Sequence, residues 1–440
     1  MQLRGSSLVL APTDIAKHLA CRHLSQLDHD RAHGWLDVPI RHDPRVDALR
    51  VRGARHEARF VAQLEADGLS IVDLRGTHLG SATLAAMQDG AGAIVQAPLE
   101  HAGMLGRADV LRRVERASAL GGYSYEPIDT KLARETRAGT LLQLCTYAVL
   151  LEPLQEIVPE EVHVVTPLGR EPYRTSHFGA YFRFVRGRLD GDLAADPRPA
   201  TYPEPVEHCD VCMYWLHCGG RRREDDHLSL VAGMQRLHAQ ELARQRFRKV
   251  VDLAAARGAL AEAPRRGSRS TYERLGHQAR LQVDSREHAL PLFEALPLEA
   301  GRGLSRLPEP APGDVFLDFE GARFVGEDGL EYLTGWAFRD RAGAWSYEAR
   351  WALDAAKERE ACEVFLDFVE RRLQQEPAVH VYHFGAYEPS RLKRLVSRHG
   401  TRADALDRLL RGGRFVDLHA IVREGFRIGV ERYGLKELEP

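Results

Sequence analysis

The sequence predicts an α/β protein of two sheet-containing units joined by a helical connector, and three observations carry the prediction. Short runs of strand periodicity lie within Ala93 to Lys131 and at Val315 to Phe319, Tyr332 to Asp340 and Ser346 to Ala352, between longer stretches of helical period. Hydrophobic residues make up 44% of the 440, enough for two or three separate cores. From Leu228 to about Leu307 the chain turns Arg/Ala/Leu/Glu-rich, and it closes in the Pro-rich stretch Leu307 to Pro312. The expected domains are therefore 1–225, a helical connector and linker over 226–311, and 312–440.

Composition narrows the function classes. The longest apolar stretch, Leu141 to Leu151, is too short and too interrupted for a membrane span. The first residues lack the apolar core of a signal peptide, so a cytoplasmic location is expected. Net charge is -2, which removes a global basic field as an argument for nucleic acid. Local arginine clusters remain at Arg52, Arg55 and Arg59, at Arg112, Arg113 and Arg116, at Arg221 to Arg223, and at Arg244, Arg246 and Arg248. Each is either a track for phosphates or a solvated helix face.

In the first unit, helical patterns at Pro12 to Asp28 and Val51 to Asp67 precede a hairpin region from Ala93 to Lys131. A helix at Ala138 to Leu151, a strand at Glu161 to Thr166 and a helix at Tyr181 to Leu193 follow. Asp129 and Lys131 are two residues apart, so a strand puts both on one face, roughly 6 to 7 Å apart at the backbone. Asp109, on the preceding strand, can point to the same spot, and such a carboxylate pair suits Mg2+ or Mn2+. Lys131 then orients a nucleophile or neutralises developing charge. Gln143 and Tyr147 share one helix face at i and i+4, placed to meet a substrate strand. His56, on the earlier helix, is a candidate third metal ligand. By itself D-x-K is common, and its alternative is a surface salt bridge. The order Gly106-Arg107-Ala108-Asp109, Asp129-Thr130-Lys131, Gln143-x3-Tyr147 is what makes it specific.

Six cysteines are too few for a disulfide scaffold in so long a chain. Cys145 and Cys362 read as buried small hydrophobes. Cys209, Cys212 and Cys218 form C-x2-C-x5-C, with Cys21 as a distant partner. Four thiolates hold either an iron-sulfur cubane or zinc, and the spacing does not choose between them.

Together these residues resemble the RecB-like branch of the PD-(D/E)XK nucleases, over about residues 8 to 225, and within it the iron-sulfur members. Those include the AddB subunit, CRISPR adaptation nucleases and the nuclease domain of a eukaryotic flap-processing helicase. The resemblance implies a restriction-endonuclease-like core with helical additions. It implies His56, Asp109 and Asp129 as metal ligands, Lys131 as the catalytic lysine and Gln143 with Tyr147 as the Q-x-x-x-Y motif. It also favours a 4Fe-4S cluster on Cys21, Cys209, Cys212 and Cys218. Linking residue 21 to residue 209 closes a loop worth roughly 5 kcal/mol in the cross-link picture, which makes the cluster structural. Pro127 departs from the pattern: it removes a ladder donor and predicts an edge or a bulge.

Asp318 and Glu320 alternate onto one strand face behind an apolar strand start. This opening resembles the ribonuclease H-like 3'-5' exonucleases of the DEDD type, whose carboxylates hold two metals. Glu388, after the strand ending at Tyr382 to Phe384, stands in for the aspartate usual there, and Asp417 is a further candidate ligand. The exonuclease pattern asks for a further helix and aspartate beyond Pro440, so a fragment of a longer polypeptide, with a helicase following, is expected. The function expected is a metal-dependent nuclease on single-stranded DNA or duplex ends, in repair or recombination. Its competitors are a non-cutting DNA-binding or scaffolding module of a helicase complex, and a CRISPR adaptation nuclease.

Overall fold

The computed structural model describes residues 1–40, 43–78, 80–323, 325 and 329–439. It divides into two compact units, Met1–Arg221 and Arg222–Pro440. Among the described residues no helix is long and apolar enough to cross a membrane.

The first unit opens with a hairpin, β1 (Gln2–Arg4) and β2 (Ser7–Val9), then α1 (Pro12–Ala20) and α2 (Arg22–Ala32). One helix was expected across Pro12 to Asp28. The chain instead breaks at Cys21, whose backbone is extended (φ -159°, ψ 111°) between the two helices. Next come α3 (Pro44–Ala66), β3 (Ile71–Asp73), α4 (Gly80–Gln88), β4 (Ala93–His101), β5 (Met104–Val114), β6 (Ser124–Thr130) and α5 (Ala138–Gln155). The unit closes with β7 (Glu161–Thr166), β8 (Gly169–Arg174) and α6 (Thr175–Ala194), and α7 (Trp215–Glu224) carries the boundary. Six strands form one sheet in the order β3-β4-β5-β6-β7-β8. α5 is the crossover that lets β6 and β7 run parallel. Its apolar residues, Leu142, Leu144, Leu150 and Leu151 among them, pack with Leu111, Tyr125, Val162 and Val164 of the sheet. Val61 and Leu64 of α3 join Val95, Val110, Ile128 and Val165 in a second core.

Pro127 is neither on an edge strand nor in a bulge, because β6 lies inside the sheet. β6 pairs with β5 from Ser124 to Ile128, but with β7 only from Ile128 to Thr130. The missing N–H therefore falls where the ladder to β7 has not begun. At that level the Glu126 carboxylate accepts from Glu161 N at 3.1 Å.

The second unit begins with α8 (Arg236–Arg244), α9 (Val250–Ala255), α10 (Arg269–Ser285) and β9 (Phe293–Ala295). It continues with β10 (Val315–Ala322), β11 (Leu330–Arg339), β12 (Trp345–Trp351), α11 (Ala355–Gln375), β13 (Val381–His383), α12 (Tyr387–His399) and α13 (Ala403–Arg411). Last are β14 (Phe415–Asp417), α14 (Leu418–Gly425), β15 (Phe426–Ile428) and α15 (Leu435–Leu438). The sheet order is β12-β11-β10-β13-β14, antiparallel across β10, β11 and β12 and parallel from β10 through β13 to β14. Trp336, Cys362, Phe365, Leu366 and Val369 centre its core, the side of the sheet that α11 covers. The stretch expected as a connector folds with this unit: β9 pairs antiparallel with β15, and Gln278 of α10 donates to Ile428 O at 2.7 Å.

Candidate functional sites

In the first unit, Asp109 and Asp129 sit one step beyond the last paired residues of β5 and β6, Val110 and Ile128. Continuing that register sets them opposite each other, where the strands part. Thr130 fixes Asp109 by donating from N (2.8 Å) and Oγ1 (3.0 Å) to Oδ2. Gln143 of α5 reaches Asp129 Oδ1 at 3.4 Å, and Lys131 Nζ stands 2.5 Å from Asp129 Oδ2. Asp129 is buried, so this ammonium is the one cation close to its carboxylate among the described residues. Burial pushes the Asp129 carboxyl up to about 7; the Lys131 ammonium opposes the rise and the Asp109 carboxylate reinforces it.

Tyr147 is buried, and its phenol donates to Arg107 O at 2.7 Å, so it braces the strand that carries Asp109. Gly106 is required by this packing, since a Cβ there would come within 2.6 Å of Pro12 and 2.8 Å of the Tyr147 ring. His56 of α3 sits beside the site with Nε2 3.1 Å from Val165 O, the same carbonyl that accepts from Lys131 N at 2.8 Å. Its neighbour Glu57 was not singled out from the sequence. Burial raises the Glu57 carboxyl, a bond from Gln96 (2.8 Å) lowers it, and the charge of Asp109 adds to the rise. The signal was the pair His56-Glu57 on one helix, which becomes legible only once α3 lies on the sheet.

Glu126, Glu161 and His163 form another group that sequence reasoning missed, with ligand atoms within 4.8 Å of one another. His163 Nε2 lies 2.8 Å from Glu126 Oε2, and this donor set suits a cation as well as an ion pair.

The four cysteines belong to two helix ends and one short turn. Cys21 separates α1 from α2, Cys209 lies in the turn Glu207–Val211 with Cys212 directly after it, and Cys218 lies in α7. Cys21, Cys212 and Cys218 share a cluster with Leu24, Leu27 and Tyr214. Burial raises the Cys212 thiol, and the sulfurs of Cys209 and Cys21 add to that rise. Cys145 and Cys362 are buried in the two main cores. Arg244, from one of the arginine clusters, is tied to Glu241 (2.7 Å) and Glu262 (2.8 Å) and is a balanced surface charge.

In the second unit, Asp318 and Glu320 occupy the exposed face of β10. Glu388 enters at the start of α12, and Asp417 ends β14 and caps α14 through Ala420 N (3.2 Å). Asp417 also accepts from Gly385 N at 3.0 Å, which ties together the loops after β13 and β14. Glu388 is buried, and Oε2 has no hydrogen bond; His383 Nδ1, engaged with Gly385 O at 2.5 Å, is 3.6 Å away. Burial pushes the Glu388 carboxyl up to about 7; a bond from its own main chain opposes this, while Asp318 and Asp417 reinforce it. Burial and the neighbouring Glu320 also raise Asp318. The four acidic side chains thus converge at one end of the three adjacent strands β10, β13 and β14. Along β12, Trp345, Tyr347 and Trp351 are exposed on the same sheet face, and the Tyr347 hydroxyl lies over Gly335, the cross-strand partner of Asp318.

Residues 315–440 match the RNase_H superfamily, so the C-terminal sheet is an RNase H-like domain, of a class that suggests phosphodiester hydrolysis with divalent metals. Among solved structures, one titled "Crystal structure of SSO0001" is 12% identical, with 50% of this chain and 89% of that chain covered. Its TM-score is 0.24, at which the likeness carries no argument. No curated protein matches.

Proposed function

We propose, taking residues 315–440 as an RNase H-like domain, that this protein is a divalent-metal-dependent nuclease with two carboxylate centres. Its substrate is DNA, as single strands or free duplex ends, in repair or recombination in the cytoplasm, with a helicase domain or subunit supplying the strand. One observation carries the reading: Glu388 Oε2 is a buried carboxylate oxygen without a hydrogen bond, inside a cluster of acidic groups. Such an oxygen costs about 1–3 kcal/mol or more when left unsatisfied, and a hard cation removes that cost.

Asp109 and Asp129, with His56 and Glu57 beside them, would hold Mg2+ or Mn2+ in the first unit, in a RecB-like arrangement. Asp318, Glu320, Glu388 and Asp417 would do so in the second. Bound metal supplies a water of lowered pKa and stabilises charge on phosphate. Lys131 keeps Asp129 toward its ionised form and, one-third exposed, offers an ammonium to an arriving phosphate oxygen. Thr130 and Gln143 set the two carboxylates' orientation, while Tyr147 fixes the strand beneath them. In the second unit Asp417 holds the Gly385 loop in place, and the exposed rings of Trp345, Tyr347 and Trp351 give bases a surface to stack on.

We read Cys21, Cys209, Cys212 and Cys218 as ligands of a 4Fe-4S cluster, with Zn2+ as the alternative, on the shared packing of three of them and the sulfur-sulfur influence on Cys212. The cluster clasps the first unit.

The test is cleavage of labelled single-stranded DNA with Mg2+ or Mn2+ by the wild type, Asp109→Ala, Asp318→Ala and the double variant. Each single change is expected to remove one component of the activity, and the double change all of it. Equal cutting by the double variant sinks the proposal. No cutting by the wild type with either metal, alongside salt-sensitive DNA binding, identifies a non-cutting binding module instead.

A further inference from the structure

The second unit contains a cleft of about 860 Å3 between the helical segment before the RNase H-like sheet and that domain's α14 and β15. Five arginines line it, Arg274, Arg302, Arg423, Arg427 and Arg432, against three glutamates. All three glutamates are already engaged. Glu299 pairs with Arg302 at 3.0 Å, Glu424 accepts from Gly303 N at 3.1 Å and pairs with Arg306 at 3.4 Å, and Glu431 pairs with Arg223 at 2.8 Å. Arg274, Arg423 and Arg427 have no carboxylate partner among the described residues. Arg427 is half-buried with its Nε unsatisfied, and burial together with the charges of Arg274 and Arg302 lowers its pKa, the Tyr433 phenol opposing the change. A cleft that gathers five guanidinium groups against three carboxylates, each of those already engaged, is complementary to an anion, and Arg's fork fits phosphate oxygens best.

The cleft is also tied to the carboxylate centre by one helix. Asp417 caps the N-terminus of α14, His419 on its first turn lines the cleft and touches the Phe384 ring (5.1 Å), and Arg423 is on its last turn. From residue 417 to residue 423 the helix rises about 9 Å. We infer that this cleft binds backbone phosphate of the nucleic acid strand whose scissile bond lies at Asp318, Glu320, Glu388 and Asp417, and so sets where along the strand that centre acts. The inference rests on the nuclease reading of the second unit. It goes beyond it by assigning a binding site on residues outside the carboxylate cluster.

The experiment measures binding of a fluorescent single-stranded oligonucleotide to the full chain in EDTA, so that binding is read without cleavage. The variants are Arg274→Glu and Arg423→Glu, both exposed and away from the cores, singly and together. The double variant is expected to weaken binding by at least about tenfold at low salt. Losing two phosphate contacts should also reduce the slope of log K against log salt by about 1.4. Thermal melting checks that the variants fold. Where they do not, the milder Arg274→Gln with Arg423→Gln replaces them and should weaken binding severalfold. Unchanged affinity and slope in folded variants overturn the inference, and if Asp318-dependent cleavage continues in them the nuclease reading stands without it. Stabilisation of the wild type by pyrophosphate with no oligonucleotide binding also overturns it, in favour of a small-anion site.

Discussion

The two carboxylate centres solve the same electrostatic problem with different means. In the first unit, Asp129 is nearly inaccessible yet has a chain-supplied cation, Lys131, 2.5 Å away. In the second, Glu388 has only the imidazole of His383, 3.6 Å off, as a basic partner among the described residues, and burial lowers the pKa of that imidazole. The first centre therefore needs little more charge than one ion provides. The second gathers four carboxylates and leaves all of the neutralisation to bound cations or protons. A further contrast is architectural: the first unit packs Cys21, Cys212 and Cys218 from its two ends together, whereas the second is closed by the β9–β15 pairing.

The largest expected effect falls on the clasp. Cys209→Ser should destabilise the first unit by roughly 5 kcal/mol if a cluster links residues 21 and 209, bleach any visible absorbance and leave the second unit's unfolding transition in place. A colourless wild type that releases zinc replaces the iron-sulfur assignment, and an unchanged melt ends the clasp reading. Next in size, Lys131→Met in an Asp318→Ala background should slow the remaining cleavage at least about a hundredfold. In an Asp109→Ala background it should change little. Equal effects in both backgrounds would erase the contrast between the centres.

The smallest effect is graded with pH. Asp129 and Glu388 both titrate at about 7, so protons compete with metal, and apparent metal affinity should fall up to about tenfold per pH unit below 7. In metal-free protein the sign is opposite to that of a salt-bridged acid. Each folded-state pKa lies above its unfolded value, so the native state holds extra protons between the two. The contribution of these groups to stability is complete below pH of about 4 and is lost as pH rises through about 7. Melting in EDTA across this range, with Asp129→Asn and Glu388→Gln each flattening part of the slope, measures both shares. A flat profile in wild type rejects them.

Much of this was readable beforehand, for specific reasons. The strand at Glu161–Thr166 and the helix beginning at Ala138 came from local periodicity, as did the face shared by Asp318 and Glu320. Errors arose where non-local packing intervened. The face shared by Gln143 and Tyr147 was legible, but not that Gly106 and Arg107 pack against the Tyr147 ring and hydroxyl. Pro127 signalled an edge because the sequence does not show that β7 takes over one residue later. Glu126 and His163 gave no signal, since the contacts that join them to each other and to Glu161 span 37 and 35 residues.

By itself the sequence determined the α/β alternation, the order of the acidic motifs and the spacing of the cysteines, because these depend on backbone periodicity and residue chemistry over short stretches. Only the tertiary structure decided which carboxylate oxygens are buried without a hydrogen bond, that Lys131 neutralises one centre alone, and that the presumed connector folds with the RNase H-like domain. Those outcomes depend on desolvation and on contacts between residues far apart in the chain, and local sequence carries no measure of either.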